Sequence, residues 1–295
     1  MHQQNINGVN MPGYKKTRRE TLETFIHNFI NISFNIFLWF SFYYEKLLFG
    51  RHKQLSKNIE LKNIYIGQRC FVLGNGPSLN NQNIELLQDE VVFMVNRSFL
   101  DPRYRVIKPN YHVIIDDKLS TGEWPITYLD DIAEQNPEVV FLLNSKWFNL
   151  EIFSEYKKKY KIYWIDQRLK LTPLSANKKI NLTKINYGGF VVEQGIISAS
   201  YMGFKDIFIT GVDGDGIANL LLNQDSHSYG VNDDDIKKAS SWQGIRQSLC
   251  SVCKWLLSWH YLDKYIFGNG SKVINLTGRG IISMVSTDDF SNIKH

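Results

Sequence analysis

The residues that most directly suggest chemistry form a glycine-rich turn at the end of an apolar run, Phe71-Val72-Leu73-Gly74-Asn75-Gly76-Pro77-Ser78-Leu79. The run is typical of a central parallel strand, and Ser78 is a candidate N-cap ahead of a short helix. Glycines at such a strand-to-helix turn expose backbone N–H groups that favour phosphate or another anion. The turn lacks the third glycine of a dinucleotide fingerprint and the Gly-Lys-Ser/Thr of a Walker A loop. We therefore predict a ligand-binding loop, and an ordinary tight turn is the alternative.

Polar residues follow several predicted strands at the point where each strand ends. The carboxyl ends of parallel strands meet at one edge of a sheet, and ligands of open parallel sheets bind beyond that edge. We therefore expect these side chains to line one crevice, although each could instead be a helix N-cap. The residues are Asn75, Asn96, Asp116 and Asp213.

The acidic residues of this group permit a second kind of chemistry. Asp213 and Asp215 form an Asp-x-Asp pair, and Asp116 follows another strand. Carboxylate oxygens are the ligands that Mg²⁺ or Mn²⁺ prefers, and such an ion would bind a diphosphate. Because the motif is short, we expect a site without metal or cofactor. Mg²⁺ or Mn²⁺ at Asp116, Asp213 and Asp215 is the alternative.

Strand-like and helix-like segments alternate from residue 64 onward, which predicts an α/β fold with a mainly parallel sheet. We predict a single Rossmann-like domain over residues 61–295. The predicted strands are Cys70–Leu73, Val91–Val95, Tyr111–Ile115, Val139–Leu143, Lys161–Ile165, Asp206–Thr210 and Lys272–Leu276. The predicted helices are Asn83–Gln88, Tyr128–Gln135, Leu150–Tyr160, Phe190–Met202 and Ile236–Tyr261.

The N-terminal part of the chain differs from this domain. Residues 1–20 are predicted to be a disordered basic tail, and residues 21–60 a membrane-associated helix with a linker around Gly50–Asn63. The segment Phe25–Tyr44 has no formal charge and is long enough to span a bilayer. Its asparagines make spanning costly, and its many aromatic residues favour the membrane interface. We predict an interfacial helix, and a transmembrane span and a core helix are the alternatives.

Charge and cysteine content narrow the class of protein. The chain of 295 residues has a net charge of +5, and basic residues flank the aromatic segment on both sides. This pattern suits an anionic membrane surface, and no stripe of aromatic and arginine residues indicates nucleic-acid binding. Three cysteines provide no disulfide framework, and no signal peptide is evident. We therefore predict attachment to the cytoplasmic side of the inner membrane.

Three ordered motifs resemble those of a known family. They are Gly74–Leu79 with Val95-Asn96, the segment from Tyr187-Gly188-Gly189-Phe190 to Gly211-Val212-Asp213, and Asn223-Gln224-Asp225-Ser226-His227-Ser228-Tyr229-Gly230. Over roughly residues 68–280 the chain resembles the bacterial sialyltransferases of glycosyltransferase family 42. It also resembles related domains, which include flagellin nonulosonate transferases and the archaeal pterin diphosphokinase (MptE-like) proteins.

The resemblance implies a CMP-linked nonulosonic acid as donor, a glycan or glycolipid as acceptor, and a homo-oligomer. The family has an asparagine where this chain has Asp116, and a Thr-Ser-Gly loop where it has Tyr187-Gly188-Gly189. The donor-binding residues that the resemblance and the strand ends imply are Gly74, Asn75, Gly76, Pro77, Ser78, Asn96, Asp116, Gly188, Gly189 and Asp213.

The catalytic residues of the family are only partly matched. Its general-base histidine corresponds to Val231, and the tyrosines that stabilise its leaving phosphate fall in Gly214–Ala218, which contains no tyrosine. The base is therefore His227 or a carboxylate. We assign it to His227, with Asp225 orienting the ring, and we assign the leaving-group acid to Tyr229, with Lys237 as the alternative.

These features together predict a membrane-associated glycosyltransferase that moves a nonulosonic acid from a CMP donor to a cell-surface glycan or lipid-linked acceptor. A metal-dependent phosphotransferase or nucleotide-diphosphate-sugar transferase on the same scaffold is the second hypothesis. A non-catalytic nucleotide-binding protein at the membrane is the third, and Val231 at the position of the family base is its support.

Overall fold

The predicted strands form one parallel sheet in a computed structural model that describes residues 5–6, 9–10, 17–49, 53–231, 233–282 and 284–293. The strands are β1 Asn5–Ile6, β2 Val9–Asn10, β3 Arg69–Leu73, β4 Val92–Val95, β5 Tyr111–Ile114, β6 Val140–Asn144, β7 Ile162–Ile165, β8 Asp206–Thr210, β9 Lys272–Asn275 and β10 Ser286–Thr287. The α-helices are α1 Arg18–Phe49, α2 Tyr104–Ile107, α3 Lys118–Thr121, α4 Tyr128–Gln135, α5 Tyr156–Lys159, α6 Val191–Tyr201, α7 Gly216–Leu221, α8 Asp233–Ala239 and α9 Trp242–Phe267.

The main sheet has eight strands in the order β10-β9-β8-β3-β4-β5-β6-β7, and every neighbouring pair is parallel. The predicted α/β class with a parallel sheet is therefore confirmed. The chain runs outward from β3 through β4 to β7 and then returns to β8 on the other side of β3. This reversal makes the carboxyl ends of β3 and β8 the topological switch point, where open α/β sheets bind ligands.

The central strands are apolar on both faces because both faces are covered. All four residues of β4 are buried, and so are the last four of β3 and of β8. The helix α6 packs across β3, β4, β5 and β8. A Cβ at Gly195 of α6 would lie only 2.9 Å from a Val72 methyl group of β3, so glycine allows the helix to pack closely on the sheet. A parallel sheet that is covered on both faces requires such continuous apolar strands.

Several predicted helices differ from those observed. The segment predicted as Asn83–Gln88 is the 3₁₀ helix Ile84–Asp89. The segment predicted as Leu150–Tyr160 is the short 3₁₀ helix Glu151–Phe153 followed by α5. The segment predicted as Ile236–Tyr261 is split into α8 and α9. The break comes at Ser241, because its side chain accepts from Gly244 N–H at 3.1 Å and caps the second helix.

The segment treated as a linker is largely a 3₁₀ helix, Lys53–Leu61, which packs on the sheet. Leu55 and Leu61 are buried in the core. The Asn58 side chain donates to the backbone carbonyls of Trp164 and Leu182, both at 2.7 Å. These contacts join the segment to the main domain.

The predicted basic tail, residues 1–20, lies mostly outside the described residues, and α1 begins within it at Arg18. The linker prediction for residues 50–52 also lies outside them.

The helix α1 contacts the domain along one stripe. Leu38 and Phe42 are buried, Asn35 bonds to the backbone N–H and carbonyl of Lys170 at 2.8 Å each, and Asn28 accepts from the Tyr261 hydroxyl at 3.0 Å. Asn28 and Asn35 therefore face the domain.

The remaining surface of α1 is apolar and exposed. The helix is long and apolar enough to cross a membrane by length and composition, and only 17% of its most apolar window is buried. Most of this helix is therefore exposed in the structure, which does not favour the core-helix alternative. Its exposed apolar residues include Phe25, Phe29, Phe34, Phe37, Phe40 and Leu47.

Candidate active site

Two glycine-containing loops meet at the switch point. The N–H groups of Gly74 and Gly76 donate to the carbonyls of Thr210 and Gly211, both at 2.8 Å. A Cβ on Gly74 would lie 2.2 Å from the Gly211 carbonyl oxygen, and one on Gly76 would lie 2.3 Å from Asp213 Oδ2. Side chains are therefore excluded at both positions by contact between the two loops.

The same contacts change the predicted role of the glycine-rich loop. Ser78 N–H donates to Asp213 Oδ2 at 3.0 Å, so the N–H groups of Gly74, Gly76 and Ser78 are already bonded within the protein. Ser78 is not an N-cap. It lies inside the 3₁₀ helix Pro77–Asn81, whose first residue is the predicted site residue Pro77. The loop consequently presents side chains to the crevice, where we expected backbone amides.

Asn75 and Asn96 lie next to each other beyond the sheet. Leu73 of β3 pairs with Met94 of β4. Asn75 comes two residues after Leu73, and Asn96 comes two residues after Met94. Both side chains line a cavity of about 390 Å³. Their Oδ1 atoms are buried and have no hydrogen-bond partner among the described residues. Since a buried acceptor without a partner costs free energy, the pair is suited to accept hydrogen bonds from a ligand.

Asn96 is held by a buried histidine that sequence reasoning missed. The residue has a left-handed backbone with φ 48°, and its carbonyl accepts from His112 Nε2 at 2.7 Å. The Tyr104 hydroxyl donates to His112 Nδ1 at 2.9 Å. Burial lowers the pKa of His112 to about 4, so the ring is neutral with the proton on Nε2. A histidine within an apolar strand was the only sequence signal of this support.

His227 is paired with a carboxylate at the rim of the same cavity. Its Nε2 lies 2.9 Å from Asp235 Oδ2, and its ring stacks on Tyr229 with centroids 4.9 Å apart. Burial opposes ionisation of Asp235, but hydrogen bonds from His227 and Ser226 outweigh it and lower the pKa of Asp235. The side chain of Asp225 is exposed. The prediction that Asp225 orients the ring is therefore corrected, because the first turn of α8 supplies Asp235 instead.

A smaller cavity of about 140 Å³ adjoins His227 and includes Tyr229, Arg97 and Lys118 in its lining. Burial raises the pKa of Tyr229 to about 12, so its hydroxyl remains a hydrogen-bond donor at neutral pH. The Arg97 guanidinium lies over the Trp124 ring, 5.1 Å from its centroid. Sequence reasoning missed Arg97, although it directly follows Asn96 at the strand end.

The loop that carries His227 and Tyr229 is anchored to the glycine-rich loop. Ser228 N–H donates to the Asn75 carbonyl, and its hydroxyl donates to Asp101, both at 2.8 Å. Arg103 pairs with Asp101 at 2.6 Å and donates to the Leu79 carbonyl at 2.8 Å. The ion pair therefore fixes the histidine loop relative to the asparagines.

The carboxylates proposed for a metal are not gathered at one point. Arg279 Nη2 lies 3.6 Å from Asp213 Oδ2 and 3.5 Å from Asp215 Oδ2. Asp116 lines other cavities, and its Oδ1 accepts from Lys118 N–H at 3.1 Å. Within the part of the chain that the structure describes, no group of three or more His, Cys, Asp or Glu side chains is placed to hold a metal ion. Burial raises the pKa of Asp213.

Gly188 and Gly189 lie just before α6, at the edge of the crevice. Gly188 has φ 145°, and a Cβ there would lie 3.0 Å from Gln194 Oε1. Gly189 lines a further cavity of about 670 Å³, which shares Asn96, Phe190 and Val191 with the main one. The structure thus brings both glycines to the same edge of the sheet as Asn75, Asn96 and His227.

The chain was compared with known proteins. The family model described as 6-hydroxymethylpterin diphosphokinase MptE-like matches residues 46–215. One similar solved structure is the crystal structure of alpha-2,3-sialyltransferase from Campylobacter jejuni in apo form. It is 17% identical, covers 75% of this chain and 80% of that chain, and has a TM-score of 0.35. No curated protein matches.

The family match extends from the end of α1 to the Asp213 loop, so it includes Asn75, Asn96 and Asp116 and ends before His227. It therefore covers the polar strand ends of β3, β4 and β5, and more than half of the chain. The chain belongs to the 6-hydroxymethylpterin diphosphokinase MptE-like family.

Proposed function

We propose that this protein is a glycosyltransferase that transfers a nonulosonic acid, or a related sugar, from a CMP-activated donor to the hydroxyl of a glycan or glycolipid. The observation that carries the proposal is the His227–Asp235 pair, at 2.9 Å, on the same cavity as the unpartnered amide oxygens of Asn75 and Asn96. In this reaction a hydroxyl group attacks a nucleotide-linked sugar. The reaction needs a general base for the hydroxyl proton and, beside it, neutral hydrogen-bond acceptors for the nucleotide.

The asparagines bind the nucleotide. Asn75 Oδ1 and Asn96 Oδ1 accept from N–H or O–H donors, which a cytosine amino group and ribose hydroxyls provide. A donor that satisfies both oxygens removes the cost of leaving them unbonded.

His227 acts as the base. Its Nε2–H donates to Asp235, so Nδ1 carries the lone pair and takes the proton of the acceptor hydroxyl. As the acceptor oxygen bonds to the anomeric carbon, the bond from that carbon to the phosphate oxygen breaks and CMP leaves. Asp235 stabilises the imidazolium that forms, because its carboxylate already accepts from the ring.

Tyr229 and Arg97 stabilise the departing phosphate. The Tyr229 hydroxyl stays protonated at neutral pH, and Arg97 brings a positive charge to the same small cavity. Donors aimed at the place where negative charge develops lower the barrier of such a step. In this proposal they replace the tyrosines that are missing from residues 214–218.

In this proposal α1 attaches the enzyme to the cytoplasmic side of a membrane. Its exposed aromatic surface and the arginines Arg18 and Arg19 at its start suit an interface with anionic lipids. Since the polar residues Asn28 and Asn35 contact the domain, the apolar residues are left to contact lipid.

A metal-dependent phosphotransferase is the second candidate, favoured by the description of the family model and by the Asp213-x-Asp215 pair. Mg²⁺ or Mn²⁺ bound by these carboxylates would have to compete with the Arg279 guanidinium. A nucleotide di- or triphosphate would then be the donor.

Thermal denaturation of the full chain with CMP, CDP, UDP, GDP and ATP, each with EDTA or Mg²⁺, tests the choice. We expect CMP to raise the melting temperature in EDTA, because a ligand of the native state stabilises it. The variant Asn96→Gly lacks the amide oxygen, and glycine adopts a φ of 48° without strain. It should therefore abolish the increase in melting temperature caused by CMP, with little loss of stability. Stabilisation only by a di- or triphosphate with Mg²⁺ would contradict the proposal and favour the second candidate.

A further inference from the structure

A second cavity lies between α1 and the carboxyl ends of β5, β6 and β7. It has a volume of about 670 Å³ and adjoins the main crevice through Asn96, Phe190 and Val191. Phe34 and Leu38 of α1 form one wall, and Lys146 and Lys170 lie on the sheet side. A molecule in this cavity would therefore touch α1 and reach Asn96 at the main crevice.

The two lysines bring positive charge to this cavity. Neither ammonium group has a carboxylate within ion-pair distance among the described residues, whereas Arg168 on the same cavity pairs with Asp166 at 2.8 Å. Surrounding protein, together with the nearby ammonium groups of Lys146 and Lys254, lowers the pKa of Lys170. Lys146 and Lys170 line the same cavity, and two ammonium groups on one cavity suit an anion.

The lining contains two carboxylates, Asp116 and Asp117, and its basic residues Lys146, Arg168 and Lys170 outnumber them. Asp117 accepts from the Trp147 indole N–H at 3.1 Å, and Asp116 accepts from Lys118 N–H. Glu193 interacts electrostatically with Lys170. Burial raises the pKa of Glu193 to about 8, so its carboxyl group is mainly protonated at neutral pH.

Two further observations point to an occupant with both polar and apolar parts. Gln167 Oε1 is buried beside the cavity without a hydrogen-bond partner among the described residues. Phe34 lines the cavity and is itself 46% exposed, and Phe37, one turn further on, is 65% exposed. The apolar wall of the cavity thus continues onto the outer surface of α1.

We propose that this cavity binds the phosphate of a lipid-linked acceptor, with the phosphate at Lys146 and Lys170 and the apolar chain along Phe34 and the exposed surface of α1. The role as acceptor rests on the transfer reaction proposed above. The affinity for a lipid phosphate does not depend on it. Charge-assisted hydrogen bonds from two ammonium groups suit a phosphate or diphosphate.

Equilibrium binding of farnesyl diphosphate and of inorganic pyrophosphate to the full chain, in EDTA, tests the proposal. We expect farnesyl diphosphate to bind more tightly than pyrophosphate. Lys146→Gln/Lys170→Gln should weaken its binding roughly tenfold or more, because two charged donors are lost. Phe34→Ser should weaken binding of farnesyl diphosphate and leave pyrophosphate unaffected.

Lys161→Gln/Lys205→Gln is the matched control. It removes the same charge from exposed lysines that immediately precede β7 and β8, at the opposite edge of the sheet. The proposal is overturned if this control loses as much affinity as Lys146→Gln/Lys170→Gln. It is also overturned if the latter binds normally, or if pyrophosphate binds as tightly as farnesyl diphosphate.

The CMP thermal shift separates this site from the donor site. We expect Lys146→Gln/Lys170→Gln to keep the CMP shift of the wild type. If CMP stabilises no variant while farnesyl diphosphate binding still depends on the two lysines, the lipid-phosphate site stands and the donor assignment fails.

Discussion

The chemistry of the site depends on which carboxylate contacts His227. Asp235 holds the ring through Nε2 and receives a second hydrogen bond from the Ser226 hydroxyl at 3.0 Å. These two bonds fix the carboxylate, and the stack on Tyr229 fixes the plane of the ring. The orientation of the His227 ring therefore comes from the first turn of α8 and from the stacked ring of Tyr229.

His227→Asn is expected to lower the rate of CMP release from CMP-N-acetylneuraminic acid by about 10²- to 10⁴-fold, because the general base is lost. Asp235→Asn should also lower the rate, since the ring loses its carboxylate. Asp225→Asn is the matched control and should retain activity, because the Asp225 side chain is exposed. CMP thermal shifts would show that both inactive variants still bind nucleotide. Equal losses in Asp225→Asn and Asp235→Asn would contradict this assignment.

At the scale of elements, the glycine-rich loop and the Asp213 loop act as one unit. Each glycine of the turn is in contact with the opposite loop, and the backbone of Ser78 bonds to the Asp213 carboxylate. The loop is thus shaped by contact with the Asp213 loop. A glycine-rich sequence can serve close packing of two loops as well as close approach of a phosphate.

Gly76→Ala is expected to lower the melting temperature and weaken CMP binding, because the new methyl group would lie 2.3 Å from Asp213 Oδ2. Forcing such a contact costs about 1–3 kcal/mol. Gly76 has φ −66°, so backbone strain does not contribute. Gly216→Ala is the control, since the methyl group there finds only ordinary contacts of 3.7 Å or more. Wild-type stability of Gly76→Ala would show that the two loops can separate.

The helix α1 has two surfaces with different roles. Phe42 is 1% exposed and belongs to the core, whereas Phe37 and Phe40 are 65% and 73% exposed. Phe37→Ser/Phe40→Ser should therefore reduce co-sedimentation with vesicles that contain anionic lipid and leave the melting temperature nearly unchanged. Phe42→Ser should lower the melting temperature, because it removes a buried ring. Vesicle binding by Phe37→Ser/Phe40→Ser at the wild-type level would exclude these rings as the lipid contact.

At the scale of the whole molecule, one buried carboxyl group links folding to pH. Glu193 on α6 is fully buried, and burial raises its pKa from the usual 4.5 to about 8. Between these two values the folded chain keeps a proton that the unfolded chain has lost. Stability from this group therefore falls as pH rises from about 4.5 to 8, by up to about 1.4 kcal/mol per pH unit, and then levels off.

Glu193→Gln should remove this slope. Urea denaturation gives the free energy of unfolding of each protein. The value for the variant minus the value for the wild type should increase between pH 5 and pH 8. The reason is that a glutamine has no proton to lose. A difference that stays constant with pH would show that Glu193 is ionised in the folded protein.

Much of the fold was predictable because its signals are local. Buried parallel strands are short apolar runs, and each of the seven predicted strands overlaps an observed strand of the main sheet. The helices were predicted less well. The break between α8 and α9 depends on a cap at Ser241, and the 3₁₀ helices at residues 53–61 and 84–89 follow from tertiary packing that propensity does not describe.

The sequence by itself determined the α/β class, the polar strand ends at Asn75 and Asn96, the family resemblance and the apolar α1. All of these follow from the order of residue types along the chain. Only the tertiary structure decided that Asp235 serves His227, that Arg279 lies beside Asp213, and that Lys146 and Lys170 share a cavity with α1. The physical reason is that strand order and loop packing bring together Arg279 with Asp213, and Lys146 and Lys170 with α1, across long stretches of chain. For His227, the path of the loop into α8 decides which of the nearby aspartates contacts the ring.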